Sequence, residues 1–188
     1  MSEKNAKTAS VLQKDPVMAG LMKKYPHIEK EWKKSKKEKR DVFEAIARTI
    51  VGQQLSVKAA RTIWGRVEEL VGKMTPENIL KISDEKYRNA GMSWAKASYV
   101  LSLAKAVKEK EFLPEDLHDL EDDQVRHKLV ELKGIGPWSA EMILLFTLKR
   151  PDIFSIGDMG LRNAISKRYS VDKNDFEKML KINFFTIF

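Results

Sequence analysis

The sequence predicts an all-α fold, and three observations carry that prediction. Apolar residues recur at intervals of three and four in one segment after another, the spacing that lines one face of a helix. Residues that favour helix starts stand ahead of several of those segments, in places with proline close behind. No stretch shows the apolar–polar alternation of a half-buried strand, and no internal repeat or low-complexity linker interrupts the chain.

The elements follow in order. Residues 1–14 carry no periodicity and are expected to form a flexible tail. Asp15-Pro16 suits a helix start, with Val17, Leu21 and Met22 turned inward. The lysine-dense run from Lys30 to Arg40 reads as a solvated helix face anchored by Trp32, with non-specific attraction to phosphates as the other reading. Val42, Phe43, Ile46 and Ile50 make one apolar stripe, and Ile63, Val67, Leu70 and Val71 make the next. Between them, Gly52-Gln53-Gln54-Leu55-Ser56 fits a polar surface turn in which Ser56 caps the second helix. Thr75-Pro76-Glu77 opens a short helix, and Asp84 and Glu85 suit the N-terminus of another. Gly91 interrupts the pattern. Ala97, Val100, Leu101, Ala104 and Val107 then form an amphipathic helix, preceded by Trp94, which is expected in the core. Pro114 and the acidic segment Glu115–Asp123 mark a loop that enters a helix over Gln124–Leu132.

The stretch from Leu132 to Arg162 holds the candidate chemistry. Gly134 and Gly136 flank Ile135, so the chain can turn tightly there and present backbone N–H groups to a phosphate. Pro137 suits the first position of a new helix. Ala140, Ile143, Leu144 and then Thr147 or Leu148 continue it for about 11 residues, roughly 17 Å. The loop from Arg150 to Gly157 can extend about 27 Å, enough to run back along that helix. Asp158 can therefore return close to the hairpin; the spacing permits this and does not require it. On the residues alone Asp158 is read first as an N-cap for the segment carrying Leu161, Ala164, Ile165 and Tyr169, with Arg162 as an i+4 partner. Trp138, on its own, reads as a core residue pinning two helices.

Composition narrows the function. The chain has 188 residues, 43% of them hydrophobic, enough for a substantial core. Lys and Arg outnumber Asp and Glu by 35 to 27, a net charge of +8 that favours a polyanionic partner. With no cysteine, disulfides, thiol catalysis, zinc fingers and a four-cysteine iron–sulfur cluster are excluded. His27, His118 and His127 lack metal-ligand spacing. Met1–Ser10 offers no signal-peptide apolar region, and the run Met142–Phe146 is far short of a membrane span.

Gly134-Ile135-Gly136-Pro137-Trp138-Ser139-Ala140, followed by Gly157-Asp158-Met159-Gly160, resembles the helix-hairpin-helix, Gly/Pro-Asp (HhH-GPD) signature of DNA glycosylases, and within it the 3-methyladenine DNA glycosylase II branch. Ile50–Ala60, with its Gly52-Gln53-Gln54-Leu55-Ser56 core, and Gly91-Met92-Ser93 through Lys96-Ala97 extend the resemblance from about Val42 to Tyr169. The resemblance implies a two-lobed helical fold with the active cleft between lobes, the middle lobe over about 50–131 and the terminal lobe from 15–49 and 132–188. It implies base excision repair: alkylated purines of the 3-methyladenine or 7-methylguanine type, flipped from double-stranded DNA, lose their N-glycosidic bond.

In that setting Asp158 becomes the catalytic carboxylate that steadies an oxocarbenium-like sugar. Trp138 stands where bifunctional relatives carry a Schiff-base lysine, so the lyase step is expected to be absent. Its indole, with Met142 one turn on, would wall a pocket for a cationic base. Lys133, Gly134, Ile135 and Gly136 would clamp a DNA phosphate. Gln54 or Leu55, between which spacing does not choose, would be the wedge that fills the gap left by the everted nucleotide. The carbonyls of Leu132 and Ile135 would hold a monovalent cation, and no other cofactor is implied. The protein is expected to act as a monomer on damaged duplex, away from membranes, in the nucleoid-containing cytoplasm of a prokaryote or the nucleus of a eukaryote. One departure stands out. Relatives continue through a Trp-Pro-Tyr-Arg-like segment into a closing helix, whereas this sequence runs into the apolar Asn183–Phe188, so that helix is expected to be absent; nor is there room for the N-terminal sheet domain of longer relatives. The alternative functions are a non-catalytic helix-hairpin-helix DNA-binding module and a helical protein-interaction domain.

Overall fold

The computed structural model of the protein describes residues 13–37 and 41–182; most of the expected tail, the end of the lysine-rich run and the apolar segment Asn183–Phe188 lie outside them. Among the described residues the regular structure is helical throughout. The helices are α1 (Pro16–Lys24), α2 (His27–Lys37), α3 (Val42–Gly52), α4 (Val57–Val71), α5 (Pro76–Leu80), α6 (Asp84–Asn89), α7 (Trp94–Lys108), α8 (Asp122–Val130), α9 (Pro137–Phe146), α10 (Met159–Tyr169) and α11 (Phe176–Leu180), with a 3-10 turn over Pro114–His118. No helix among them is long and apolar enough to cross a membrane.

The chain forms two compact units, one running from Arg40 to Ile153 and the other built from the segments before and after it. In the Arg40–Ile153 unit, α3 is the central helix, packed against α4, α7, α9 and the 3-10 turn. Asp41 starts it by accepting the Glu44 N–H at 3.0 Å. Val42, Phe43, Ile46, Ala47, Ile50 and Val51 are all buried, a stripe wide enough to serve several neighbours. Trp64, Val67 and Val71 of α4 and Ala97, Val100, Leu103 and Ala104 of α7 close around it. Each of the large aliphatic side chains withdrawn from water contributes about 1.5–3 kcal/mol. Tyr87 on α6 is wholly buried, and its hydroxyl donates to the Ile79 carbonyl at 3.0 Å. Burial pushes that phenol up to about 12.

In the other unit, Asp15 caps α1 by accepting the Met18 N–H at 2.8 Å and also receives the Tyr169 hydroxyl at 3.1 Å. This bond ties the first described helix to the end of α10. Burial, then the bond to Asp15, raises the Tyr169 phenol to about 12. Ile165 and Met179 are the buried residues of α10 and α11. The Arg162 guanidinium lies 5.0 Å from the centre of the Phe176 ring, a cation–π contact that joins those two helices.

Two sequence expectations need correcting. Trp94 is not a core residue: it is 55% exposed, because it is the first residue of α7 and the buried stripe begins a turn later at Ala97. The segment before α8 is not simply a loop: Pro114 starts a 3-10 turn, and α8 begins at Asp122, where Glu121 donates its N–H to the Gln124 side chain at 3.1 Å.

Replacing Tyr87 with Phe is expected to lower unfolding free energy by about 1 kcal/mol, measured by urea denaturation. The loss stays near the low end because the Ile79 carbonyl keeps a second donor, the Ile82 N–H at 3.2 Å.

Candidate active site

The hairpin between α8 and α9 is formed by a short turn in which the Ile135 N–H donates to the Leu132 carbonyl at 3.0 Å. Gly134 sits in the turn at φ +86°, the left-handed region that favours glycine. A Cβ at that position would fall into the Tyr99 ring, 2.7 Å from Cγ and 2.9 Å from Cε2. Two independent constraints therefore require glycine here. Ile135 turns its side chain into the core, where it is 5% exposed, and so anchors the hairpin from beneath. Its N–H is engaged within the turn, which leaves the amides of Gly134 and Gly136 as the hairpin's candidate phosphate donors. Lys133 is exposed beside them. Gly136 takes the N-cap position of α9 in extended backbone, and a Cβ there would meet nothing within 4 Å.

The turn between α3 and α4 is bonded to this hairpin. Gln53 donates from Nε2 to the Gly134 carbonyl at 2.7 Å and lies 3.1 Å from the Oγ of Ser139, a buried serine of α9. Lys96, in the first turn of α7, donates to the carbonyls of Val51 and Gln53 at 2.9 and 2.6 Å. Partial burial holds its ammonium below the ordinary lysine range. Gln54 follows at φ +57°, exposed, and Leu55 beside it is 37% exposed with its N–H on the Gly52 carbonyl at 3.3 Å. Ser56 then caps α4 through the Ala59 N–H at 3.3 Å. The two residues proposed as a wedge thus form the tip of the turn.

Trp138, the second residue of α9, is 42% exposed, so the reading of a core tryptophan does not hold. Met142 lies one turn on and is half-buried, and Phe146 a further turn on is exposed. These three share a face, while Ser139, Ala140, Ile143 and Leu144 face the core. Phe146, which the sequence reading did not single out, joins the candidate face by its i+4 spacing from Met142.

Asp158 belongs to the other unit. Its N–H donates to the Ser155 carbonyl at 3.0 Å, and its Oδ1 accepts the Leu161 N–H at 2.7 Å, capping α10. A Cβ on Gly160 would come 3.1 Å from that oxygen, so the glycine leaves the carboxylate room. The cap expected from spacing is present. It runs through Oδ1.

Among the described residues no cluster of His, Asp and Glu is arranged to hold a metal ion. The monovalent-cation expectation rests on main-chain oxygens instead. Hard carbonyl donors suit such an ion, and the Leu132 oxygen, which accepts only the Ile135 N–H among the bonds described, has a second lone pair for it.

Helices joined by a glycine hairpin, with an aspartate capping the helix after the return loop, define a class. Residues 47–184 match the model of the HhH-GPD superfamily base excision DNA repair proteins, and the chain belongs to that superfamily. Among its relatives, the DNA-3-methyladenine glycosylase of Saccharomyces cerevisiae is 37% identical over 150 residues, covering 74% of this chain and 50% of that protein. A putative DNA-3-methyladenine glycosylase of Bacillus subtilis is 29% identical over 139 residues, 70% of this chain and 48% of that one. The chain thus spans about half the length of these two curated relatives. Among solved structures, a DNA-3-methyladenine glycosidase from Bacillus halodurans is 38% identical, with 79% of this chain and 69% of that one covered and a TM-score of 0.70. A 3-methyladenine DNA glycosylase from Schizosaccharomyces pombe, solved with abasic DNA, is 25% identical, with coverage of 94% and 87% and a TM-score of 0.73.

The two hairpin glycines separate in their expected cost. Gly134→Ala is expected to lower stability by about 2 kcal/mol or more, from the left-handed backbone and the Tyr99 overlap together, and Gly136→Ala by less than about 1 kcal/mol. Urea unfolding of the two variants measures the difference.

Proposed function

We propose that the protein is a monofunctional DNA glycosylase that hydrolyses the N-glycosidic bond of alkylated purines in duplex DNA. The observation that carries this reading is Trp138: a half-exposed indole, with Met142 and Phe146 along the same face of α9, at the position where a lyase would need an amine. The naming of its relatives as 3-methyladenine glycosylases supports the substrate class. An alkylated purine carries positive charge, which suits it to an aromatic face and already makes it a good leaving group. The protein therefore needs no strong general acid on the base.

As the glycosidic bond breaks, the bonding electrons leave with the base, and the sugar becomes oxocarbenium-like at C1′. Asp158, with Oδ1 held by its cap bond, supplies the negative charge that steadies that state and orients the water that adds to C1′. The water's second proton leaves to solvent through the carboxylate, so an intact abasic strand and a free base result. Backbone amides of the hairpin, with Lys133, grip a phosphate without reading sequence, while Gln54 or Leu55, at the tip of the neighbouring turn, enters the stack vacated by the everted nucleotide. A monovalent cation on the Leu132 and Ile135 carbonyls would add positive charge at the phosphate. The protein would act as a monomer wherever the genome lies, in a prokaryotic nucleoid or a eukaryotic nucleus.

Purified protein is expected to release 3-methyladenine or 7-methylguanine from alkylated duplex, with no product trapped by borohydride. Asp158→Asn is expected to lower the single-turnover rate by about a thousandfold while DNA affinity stays within about twofold. Asparagine caps helices as well as aspartate does, so this variant separates the chemical role from the structural one. Binding without release by the unaltered protein would point instead to a non-catalytic DNA-binding module.

A further inference from the structure

The last carbonyls of a helix lack N–H partners within it, and at the end of α3 a side chain supplies one. Lys96 reaches from α7 to the carbonyls of Val51 and Gln53, at 2.9 and 2.6 Å. An ammonium there also meets the negative end of the α3 dipole. Gln53 is consequently held at both of its ends. Lys96 holds its backbone oxygen, and its side chain holds the Gly134 carbonyl at 2.7 Å, with Ser139 Oγ at 3.1 Å. The next residue, Gln54, turns the chain through a left-handed conformation, φ +57°, which is uncommon for a non-glycine residue. The exposed tip Gln54-Leu55 therefore projects from a base tied to the hairpin.

We propose that Lys96 is a positioning residue: through Gln53 it fixes the Gln54-Leu55 tip relative to the Gly134 hairpin, so that the tip enters the base stack in register with the hairpin's hold on the backbone. The inference rests on the glycosylase reading and deepens it, because it assigns Lys96 to eversion of the target nucleotide and not to bond cleavage. A loosened tip harms most where the damaged base is paired and stacked. It harms least where no partner base has to be given up. A residue that served only the fold would lower activity on both targets alike.

The test compares Lys96→Met, Lys96→Arg and Gln53→Met with the unaltered protein on two duplexes carrying the same alkylated purine, one normally paired and one opposite an abasic gap. Single-turnover base release is measured on each. In parallel, 2-aminopurine fluorescence beside a tetrahydrofuran abasic analogue reports tip insertion without any chemistry. Lys96→Met is expected to lose about tenfold or more on the paired lesion and less than about threefold on the unpaired one, the scale of one charge-assisted hydrogen bond. Its fluorescence change on binding is expected to shrink in step. Gln53→Met, which leaves both carbonyls to Lys96, is expected to show the same selectivity, and Lys96→Arg to restore the paired rate to within about threefold of the unaltered protein. Equal losses on the two duplexes, or an undiminished fluorescence change, would overturn the proposal. If Lys96→Met does not fold, Gln53→Met carries the same comparison. If the unaltered protein releases base from neither duplex, the glycosylase reading fails, and the fluorescence comparison still decides the role of Lys96.

Discussion

The missing side chain at position 134 is the constraint on which the hairpin depends. The Tyr99 ring occupies the space a Cβ would need, and the backbone takes a conformation that favours glycine. With that contact made, the Gly134 carbonyl is presented to Gln53 at 2.7 Å, and Ile135 is free to bury its side chain while its N–H closes the turn. A turn presenting backbone amides to a phosphate needs this kind of support, since the donors themselves contribute nothing to the packing beneath them. The hairpin is supported by an aromatic ring on α7 and by the side-chain amide of Gln53 in the turn after α3.

The same unit shows how one helix divides its faces. On α9 the small Ser139 and Ala140 with Ile143 and Leu144 go inward, so the helix lies close against α3 and α8. Trp138 and Phe146 stay outward, with Met142 half-buried between them. Large exposed apolar groups at consecutive turns cost solubility without adding to the core, and such patches mark binding surfaces. The proposed function would use this surface for a cationic, flat ligand: the indole would supply a negative face, and the thioether would adapt its shape. On α10 the demand is different. Asp158 starts the helix through its bond to the Leu161 N–H, a glycine two residues on leaves space around it, and the proposed function gives the same side chain a second task at the sugar.

Much of this was legible in the sequence where the interactions are local. Asp15, Ser56 and Thr75, read as caps from type and position, accept the N–H groups of Met18, Ala59 and Asn78. The stripe Val42, Phe43, Ile46 and Ile50 reads as a buried face and is one. The hairpin was legible from its glycines and through the resemblance; for Asp158 the spacing predicted the cap that the structure shows, and its chemical role is implied by the resemblance alone. Contacts between distant parts of the chain were not legible. Gln53 meets Gly134 across 81 residues, and Lys96 meets Gln53 across 43; no periodicity encodes either. Lys96 looked like one cation among many, and Tyr99 like one more aromatic on an amphipathic helix. Trp94 misled because large aromatics are usually withdrawn from water, whereas its place at the very start of α7 puts it ahead of the packed stripe.

The proposed function requires that the Asp158 carboxylate and the Trp138 indole serve one and the same nucleotide. A crystal structure of the protein on duplex DNA carrying a cationic pyrrolidine in place of the target sugar tests this most directly. The account predicts a carboxylate oxygen within about 4 Å of the ring nitrogen, at ion-pair distance, with the indole lining the space beyond it where the base would lie. A carboxylate turned away from the ring, with Trp138 against the sugar–phosphate backbone or out in solvent, would contradict it.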